Sequence, residues 1–143
     1  MPDPTTPSQA FVISMNRTYV AGGPLLDLGH QLEGLQWPIQ IASGSFSSGT
    51  PFSFKLSGAP AGGSAFHVVG FTALNAAFKG GAMVPLPFLI TGPWPVNGQG
   101  NASIAGPWPS SPAGVHILAQ FWMADAAGPV GFAASSCVQV TTQ

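Results

Sequence analysis

The sequence predicts an all-β protein, an antiparallel β-sandwich or jelly roll built from seven to nine short strands. Glycine (19 residues) and proline (15 residues) are spread along all 143 positions, which leaves little room for long helices. Between them, apolar residues recur with a period of two, as expected for strands that bury one face. Short strands separated by Gly/Pro turns are typical of two packed sheets.

The N-terminal third contains the less regular elements. Residues 1–8 are predicted to be a flexible lead-in, and residues 9–143 a single domain. The stretch QAFVISM (9–15) alternates like a strand, and LQWPIQI (35–41) is also strand-like. Residues 24–35 contain leucines at near-helical spacing, so this segment is the one place where a short helix is predicted, although an internal glycine weakens it.

The remaining strands are predicted with clearer patterns. PFSFKL (51–56) alternates apolar with polar residues, and SAFHVVGF (64–71) is apolar on both faces, which favours a central position in a sheet. The prolines of PLPFLIT (85–91) suit an edge strand or a strand start. GVHILAQFWM (114–123) is the longest predicted strand, and residues 128–142 are predicted to form two short strands around a Ser-Ser turn, or one bent strand.

The tetrapeptide GPWP occurs twice, at 92–95 and 106–109. Between the copies lie Asn97-Gly98, a strong signal for a hairpin turn, and the short strand NASIA (101–105). Each GPWP is therefore predicted to mark the end of a strand, because proline cannot donate a further ladder hydrogen bond. Its tryptophan is expected to fold over the open end of the sandwich.

Trp94 and Trp108 of these repeats also support a second hypothesis, a carbohydrate-binding module with polysaccharide as its partner. Aromatic faces stack on sugar rings, so this function requires at least two tryptophan rings that are coplanar and accessible. Trp122 lies within the longest strand and is expected to belong to the core.

The very low charge limits the classes of partner. Only 5% of the residues are charged and the net charge is −1, so no basic patch is available for nucleic acid or for an anionic membrane. The sequence contains no run of eighteen apolar residues, so membrane insertion is not predicted. Weak electrostatic repulsion favours self-association. Because Phe11, Ile13 and Met15 share one face of a strand that follows a linker, they are the predicted self-association residues.

Two sets of residues could be considered as catalytic, an acid/base pair and a Ser-His-Asp set. Neither is convincing, and no enzymatic activity is predicted. Asp27 and Glu33 are the only two carboxylates close in sequence that could act as an acid/base pair. A Ser-His-Asp set can be drawn from the SSC motif at 135–137 with His116 and Asp125, but no nucleophile-elbow motif accompanies it. The candidate nucleophiles of that set are Ser135 and Ser136.

No metal or cofactor is predicted. His67 and His116 fall on strands that could be neighbours, and with His30 and Glu33 they form the only candidate ligand set, but strand histidines are usually hydrogen-bonded structural residues. Cys137 is the only cysteine, so it forms no internal disulfide and is expected to be a small buried residue.

Three motifs within residues 52–143 are similar to those of a known protein family. FSFKLSGAPAGGSAFHVVGF contains a strand, a small-residue GAP turn and an apolar strand. GQGNASIAGPWPSSPAGVHILAQFWMAD contains a G-x-A strand, a Pro-x-x-Pro turn and a long strand that ends in Gln-aromatic and Asp. GFAASSCVQVTT is a closing strand in which Ser-Ser precedes alternating valines. Together these motifs resemble a β-sandwich module, often C-terminal, of large secreted proteins of Gram-negative bacteria.

The resemblance implies an appended structural or sorting module that is extracellular or at the cell surface. Its partners would be copies of itself, a parent chain or another envelope protein. The family brings no catalytic residues to this sequence. The likeness does not extend before residue 52, and the second GPWP is more aromatic than the turn usual at that place.

Overall fold

The computed structural model describes residues 25–143, which form eleven strands in antiparallel sheets and no helix. No helix that could cross a membrane is found in this part of the chain. The strands are β1 (Leu25–Gly29), β2 (Ile39–Gly44), β3 (Pro51–Ser57), β4 (Ser64–Gly70), β5 (Ala73–Phe78), β6 (Gly81–Pro85), β7 (Leu89–Pro95), β8 (Ala102–Pro107), β9 (His116–Ala124), β10 (Phe132–Ala134) and β11 (Cys137–Thr141).

The strands are arranged in three layers. The larger sheet has the order β1-β11-β9-β4-β7, with β10 also paired to β9. The smaller sheet, β2-β3-β8, packs on one face of it, and the β5–β6 hairpin packs on the other. The predicted all-β sandwich is therefore confirmed, with the hairpin as an additional layer.

The central strand β9 shows how the sequence produces both interfaces. Ala119, Phe121 and Met123 alternate onto the face that meets the smaller sheet, where they are fully buried. Leu118 and Trp122 point to the opposite face and are buried beneath the hairpin. Because both faces of β9 are covered, its pattern is almost continuously apolar.

The main core lies between the two sheets. Phe46, Phe54 and Leu56 come from the smaller-sheet side, and Phe121 and Val140 from the larger sheet. Burying a side chain of this size contributes roughly 1.5–3 kcal/mol to stability. The aromatic residues of the core therefore account for a large share of the packing energy between the layers.

Two buried glutamines attach the outer layers to the larger sheet. Gln40 of β2 donates from Nε2 to the carbonyl oxygens of Ala119 (2.9 Å) and Ser136 (3.1 Å). Gln120 of β9 accepts at Oε1 from the backbone N–H of Val84, at 3.1 Å, in the β5–β6 hairpin. Buried amides with satisfied partners fix one alignment of the layers, because any slip would leave polar groups unpaired.

Several predicted strands are confirmed. Segments 51–56, 64–71 and 114–123 are observed as β3, β4 and β9, and β4 lies inside its sheet as expected. Of the strand predicted over 85–91, residues 89–91 belong to the edge strand β7, whereas 86–88 form the loop that precedes it. Residues 128–142 contain β10 and β11 around Ser135-Ser136. The predictions for residues 1–8 and 9–15 lie outside the described residues.

The helix predicted over 24–35 is wrong for the residues that the structure describes. Residues 25–29 form β1, and the chain then turns at Gly29 and His30, whose φ angles are +75° and +68°. Asp27 reinforces this turn, because its Oδ1 accepts a hydrogen bond from the N–H of Gly29 at 2.8 Å. Two successive left-handed residues cannot belong to a right-handed helix.

Two further details differ from the prediction. Eleven strands exceed the seven to nine expected, partly because the β5–β6 hairpin was not predicted. Asn97-Gly98 also does not close a hairpin, since β7 belongs to the larger sheet and β8 to the smaller one. The Oδ1 atom of Asn97 accepts from the N–H groups of Gln99 and Asn101 and shapes a connection between the layers.

Candidate functional site

The two GPWP tryptophans have different surroundings. Trp108 is only 6% exposed and lies edge-on to Phe46 and Phe52, with ring centroids 4.9 Å and 5.0 Å away. Its Nε1 donates to Ser111 Oγ at 3.2 Å. Trp108 thus closes one end of the core, and neither face of its indole ring is free to stack on a sugar.

Trp94 is half-buried against the main core and donates from Nε1 to Thr91 Oγ1 at 3.0 Å. It pairs with Ala65 of the neighbouring strand β4. Because Trp108 is buried, these two residues do not form the pair of accessible rings that a sugar platform requires. Trp37, which precedes β2, is 53% exposed, whereas Trp122 is buried.

The residues of the Ser-His-Asp set have separate structural roles. Ser135 is fully buried, and its hydroxyl donates to the carbonyl oxygen of Ser136. His116 hydrogen-bonds Thr141 through Nδ1 at the first residue of β9. Asp125 follows the last residue of that strand. Nine residues of extended strand cover about 30 Å, so His116 and Asp125 do not approach each other.

Asp125 organises a loop. Its Oδ1 accepts from the N–H of Ala127 and its Oδ2 from the N–H of Leu35, both at 3.0 Å. Both carboxylate oxygens are engaged by backbone N–H groups, which gives Asp125 a structural role in this loop. Glu33 is exposed, and Asp27 is occupied by its own turn, so these two carboxylates do not face a common site.

Among the described residues, the histidines do not combine with other ligand residues into a metal site. Residues 25–143 contain no group of three or more His, Cys, Asp or Glu side chains that could hold a metal ion. His67 is 3% exposed between the rings of Phe54 and Phe121, whose centroids lie 4.9 Å and 4.4 Å from its own. Burial lowers the pKa of His67 to about 3, so the imidazole is neutral at physiological pH.

Cys137 is fully buried, as expected, beside Val84 and Leu118. Burial raises the pKa of its thiol to about 12. The reactive form of cysteine is the thiolate, so this side chain is chemically inert in the folded protein.

An open depression of about 520 Å³ lies between β1, β9 and the β5–β6 hairpin. Leu28, Val84 and Leu118 contribute apolar surface, and Asn75 and His116 contribute polar atoms. Its lining residues include no carboxylate, lysine or arginine. The titratable side chains in the lining are two histidines, His30 and His116, with no carboxylate beside them.

The most distinctive surface is an apolar strip along the edge strand β7, which we call the β7 strip. Its members share high exposure and lie in β7, in the β6–β7 loop or in the β4–β5 loop: Phe71, Leu86, Phe88, Leu89 and Ile90. Phe88 is 72% exposed and Ile90 57% exposed. The rings of Phe71 and Phe88 pack together with centroids 4.8 Å apart. Leu89 and Ile90 are adjacent in β7, so their side chains point to opposite faces of the sheet and expose apolar surface on both sides of its edge. Clustered exposed apolar side chains of this kind usually mark an interaction site.

A second apolar surface lies on β2, which is one of the two edge strands of the smaller sheet. Ile39 and Ile41 project outward, and Ile41 is 61% exposed. Neither surface was predicted from the sequence. Period-two alternation identifies the two faces of a strand, but it does not tell which face or edge is left uncovered.

Comparison of the chain with protein-family models, with curated proteins and with solved structures finds no match. The resemblance of residues 52–143 to the module of Gram-negative secreted proteins therefore stays a prediction.

Proposed function

We propose that this protein is a non-catalytic structural or interaction module of an exported bacterial protein, and that it self-associates in an extracellular assembly. The observation that carries the proposal is the β7 strip on a nearly uncharged chain. Burying such a strip against another copy removes apolar surface from water at roughly 25 cal/mol per Å². With a net charge of −1, little repulsion opposes that contact.

The surroundings of the strip strengthen this argument. Lys79 is the only lysine, arginine, aspartate or glutamate between Ser64 and Pro95. Its ammonium lies 5.0 Å from the ring centroid of Phe132, on the hairpin side of the molecule. Proteins that avoid association usually place lysines along an exposed strand edge. No such charge lies on β7.

The prolines of β7 indicate the kind of contact. Pro93 and Pro95 lie within the strand and have no N–H to donate to a further strand. Strand addition along the whole of β7 is therefore unfavourable. The β7 strip suits packing of side chains against a second apolar surface, with copies of this module, a parent chain or another envelope protein as the partner.

The test measures the solution mass of the purified protein by light scattering over a range of concentrations, with negative-stain images of the same samples. The variant Ile90→Ser should shift the mass toward the monomer because it removes an exposed apolar contact of the strip. The matched control is Val130→Ser, since Val130 is also 57% exposed but lies outside the strip. A wild-type protein that stays monomeric at all concentrations would refute the proposal.

A further inference from the structure

Among the described residues, the main paths of the two sheets end in the strands β1, β7, β2 and β8, and three of these carry features that oppose the addition of another strand. In β7 these are Pro93 and Pro95. In β1 the register shifts between Asp27 and Gly29. β8 ends at Gly106-Pro107. β2 differs from all three, because its pairing with β3 is regular over six residues and β2 itself contains neither a proline nor a charged residue. The nearest charge in the described part of the chain is Lys55 of β3, which lies opposite Ile41.

The free side of β2 is suited to strand addition. Among the described residues β2 pairs only with β3, so alternate backbone N–H and C=O groups point away from the sheet. Ile39 and Ile41 offer apolar contacts on the outer face beside this row of groups. Extended segments that bind in this way gain main-chain hydrogen bonds together with side-chain contacts.

The smaller sheet also has fewer strands than the sheet it faces. Three strands of the smaller sheet face the five-strand path of the larger one. The hydrogen bonds from Gln40 to Ala119 and Ser136 place β2 near β9 and the start of β11. β1 lies beyond β11, and its Leu25 packs at the margin of the main core while remaining partly exposed. A strand added beside β2 would cover this margin.

The chain contains a segment that matches this place. Residues 9–15 alternate Phe11, Ile13 and Met15 with smaller side chains and contain no proline or charged residue. We propose that residues 9–15 of a second copy add to the free edge of β2, with these three side chains over the margin at Leu25. This inference rests on the proposed self-association and names one contact that produces it.

The length of chain before Leu25 is sufficient for such an exchange. Nine residues, 16–24, separate Met15 from Leu25, and an extended chain of that length spans roughly 30 Å. The donor segment and the acceptor edge are different surfaces of one molecule. Reciprocal exchange between two copies gives a closed dimer, whereas head-to-tail contacts give rings when the rotation closes and fibres when it does not.

The test mixes two variants, each with one introduced cysteine, so that a disulfide between the two introduced residues forms only between two chains. One chain carries Ile41→Cys. The other carries a cysteine at position 10, 12 or 14, which face the same side as Ile41 in the proposed strand pairing. Linking at one of these positions should be about tenfold faster or more than for Ile13→Cys, since adjacent thiols have a millimolar effective concentration and Ile13 faces the opposite side. The native Cys137 is fully buried and does not interfere.

A control acceptor carries Ser103→Cys on the exposed edge of β8, at the other side of the same sheet. Equal linking to both acceptors would overturn the inference. Linking within one chain of the double variant Val12→Cys/Ile41→Cys, with no linking in the mixture, would also overturn it, because residues 9–15 would then cover their own β2. Association of the wild type without linking would refute the strand exchange and leave the proposed function standing.

A second measurement needs no cysteine. Ile41→Lys should reduce the mass of the assembly by at least about half, because lysine on an edge strand opposes strand addition. Deletion of residues 1–15 should have the same effect. The matched control is Val130→Lys, another exposed site. If Ile41→Lys and the deletion leave the mass unchanged while Ile90→Ser lowers it, association depends on the β7 strip alone and the inference is wrong.

Discussion

His67 Nε2 donates a hydrogen bond to Gln40 Oε1 over 2.8 Å in the core between the two sheets. The direction follows from Gln40, whose Nε2 donates to the carbonyl oxygens of Ala119 and Ser136 and so leaves Oε1 as the acceptor. Nε2 therefore carries a proton, and because burial lowers the pKa of His67 the imidazole is neutral at physiological pH. A polar pair from two different sheets thus lies among the aromatic residues of the core.

This pair predicts a pH dependence of stability. Because burial lowers the pKa of His67 to about 3, the unfolded chain binds a proton more readily between pH 6.5 and 3. Stability is fully present above pH 6.5 and falls by up to about 1.4 kcal/mol per pH unit as the pH decreases through this window. Urea unfolding at several pH values measures the slope. His67→Gln should flatten it, and an unchanged slope would contradict the assignment.

Gln120 is predicted to contribute as much to the free energy of unfolding as a large buried apolar residue. Its Oε1 accepts from the N–H of Val84 and from Nε1 of Trp122, at 3.1 Å and 2.9 Å. Gln120→Leu leaves two buried donors without an acceptor, which should lower the free energy of unfolding by about 2–6 kcal/mol. Leu118→Met on the same face is the control and should cost less than about 1.5 kcal/mol. Equal losses in urea unfolding would contradict this account.

Trp108 and Trp37 allow the contributions of a buried and a half-exposed tryptophan to stability to be compared. Trp108→Ala should lower the free energy of unfolding by about 3–5 kcal/mol, because it opens a cavity beside Phe46 and Phe52. Trp37→Ala removes a half-exposed ring and should change stability by only about 0.5 kcal/mol. Denaturant unfolding followed by circular dichroism measures both. A large loss for Trp37 alone would reverse the assignment of the core.

Two glycines allow the cost of backbone strain to be measured separately from the cost of a steric collision. Gly58 and Gly62 have nearly equal φ angles, +76° and +77°. A Cβ atom at Gly58 would collide with the carbonyl oxygen of Trp37, whereas one at Gly62 meets nothing. Gly62→Ala should therefore cost about 1–2 kcal/mol from strain alone, and Gly58→Ala clearly more. Thermal unfolding of the two variants tests the difference, and equal melting temperatures would contradict it.

The sequence allowed the strongly alternating strands to be predicted, and β3 and β9 are the best examples. The β5–β6 hairpin was missed because ALNAAF lacks both alternation and β-branched residues. Its strands depend instead on the turn at Lys79-Gly80, where both φ angles are positive, and on contact with the larger sheet. The ring of Phe78 lies edge-on to Trp122, with centroids 5.1 Å apart, a contact that no local pattern reveals.

The candidate surfaces were harder to predict than the fold. Ile41 and Leu56 look alike in sequence, but one is exposed and the other almost fully buried. The difference arises from which face of the smaller sheet meets the larger one, and that depends on residues far away in the chain. The predicted self-association residues Phe11, Ile13 and Met15 lie outside the described part and remain a prediction.

The pairing of β1 with β11 has a consequence for how the protein folds. Leu25 lies opposite Val140, so strands from opposite ends of the described chain are neighbours in the larger sheet. Contacts between such distant residues require closure of a long loop, and folds dominated by them form slowly, within milliseconds to seconds. During synthesis, the larger sheet cannot be completed until β11 has left the ribosome. Until then the apolar segments stay exposed, and the chain remains dependent on protection from aggregation.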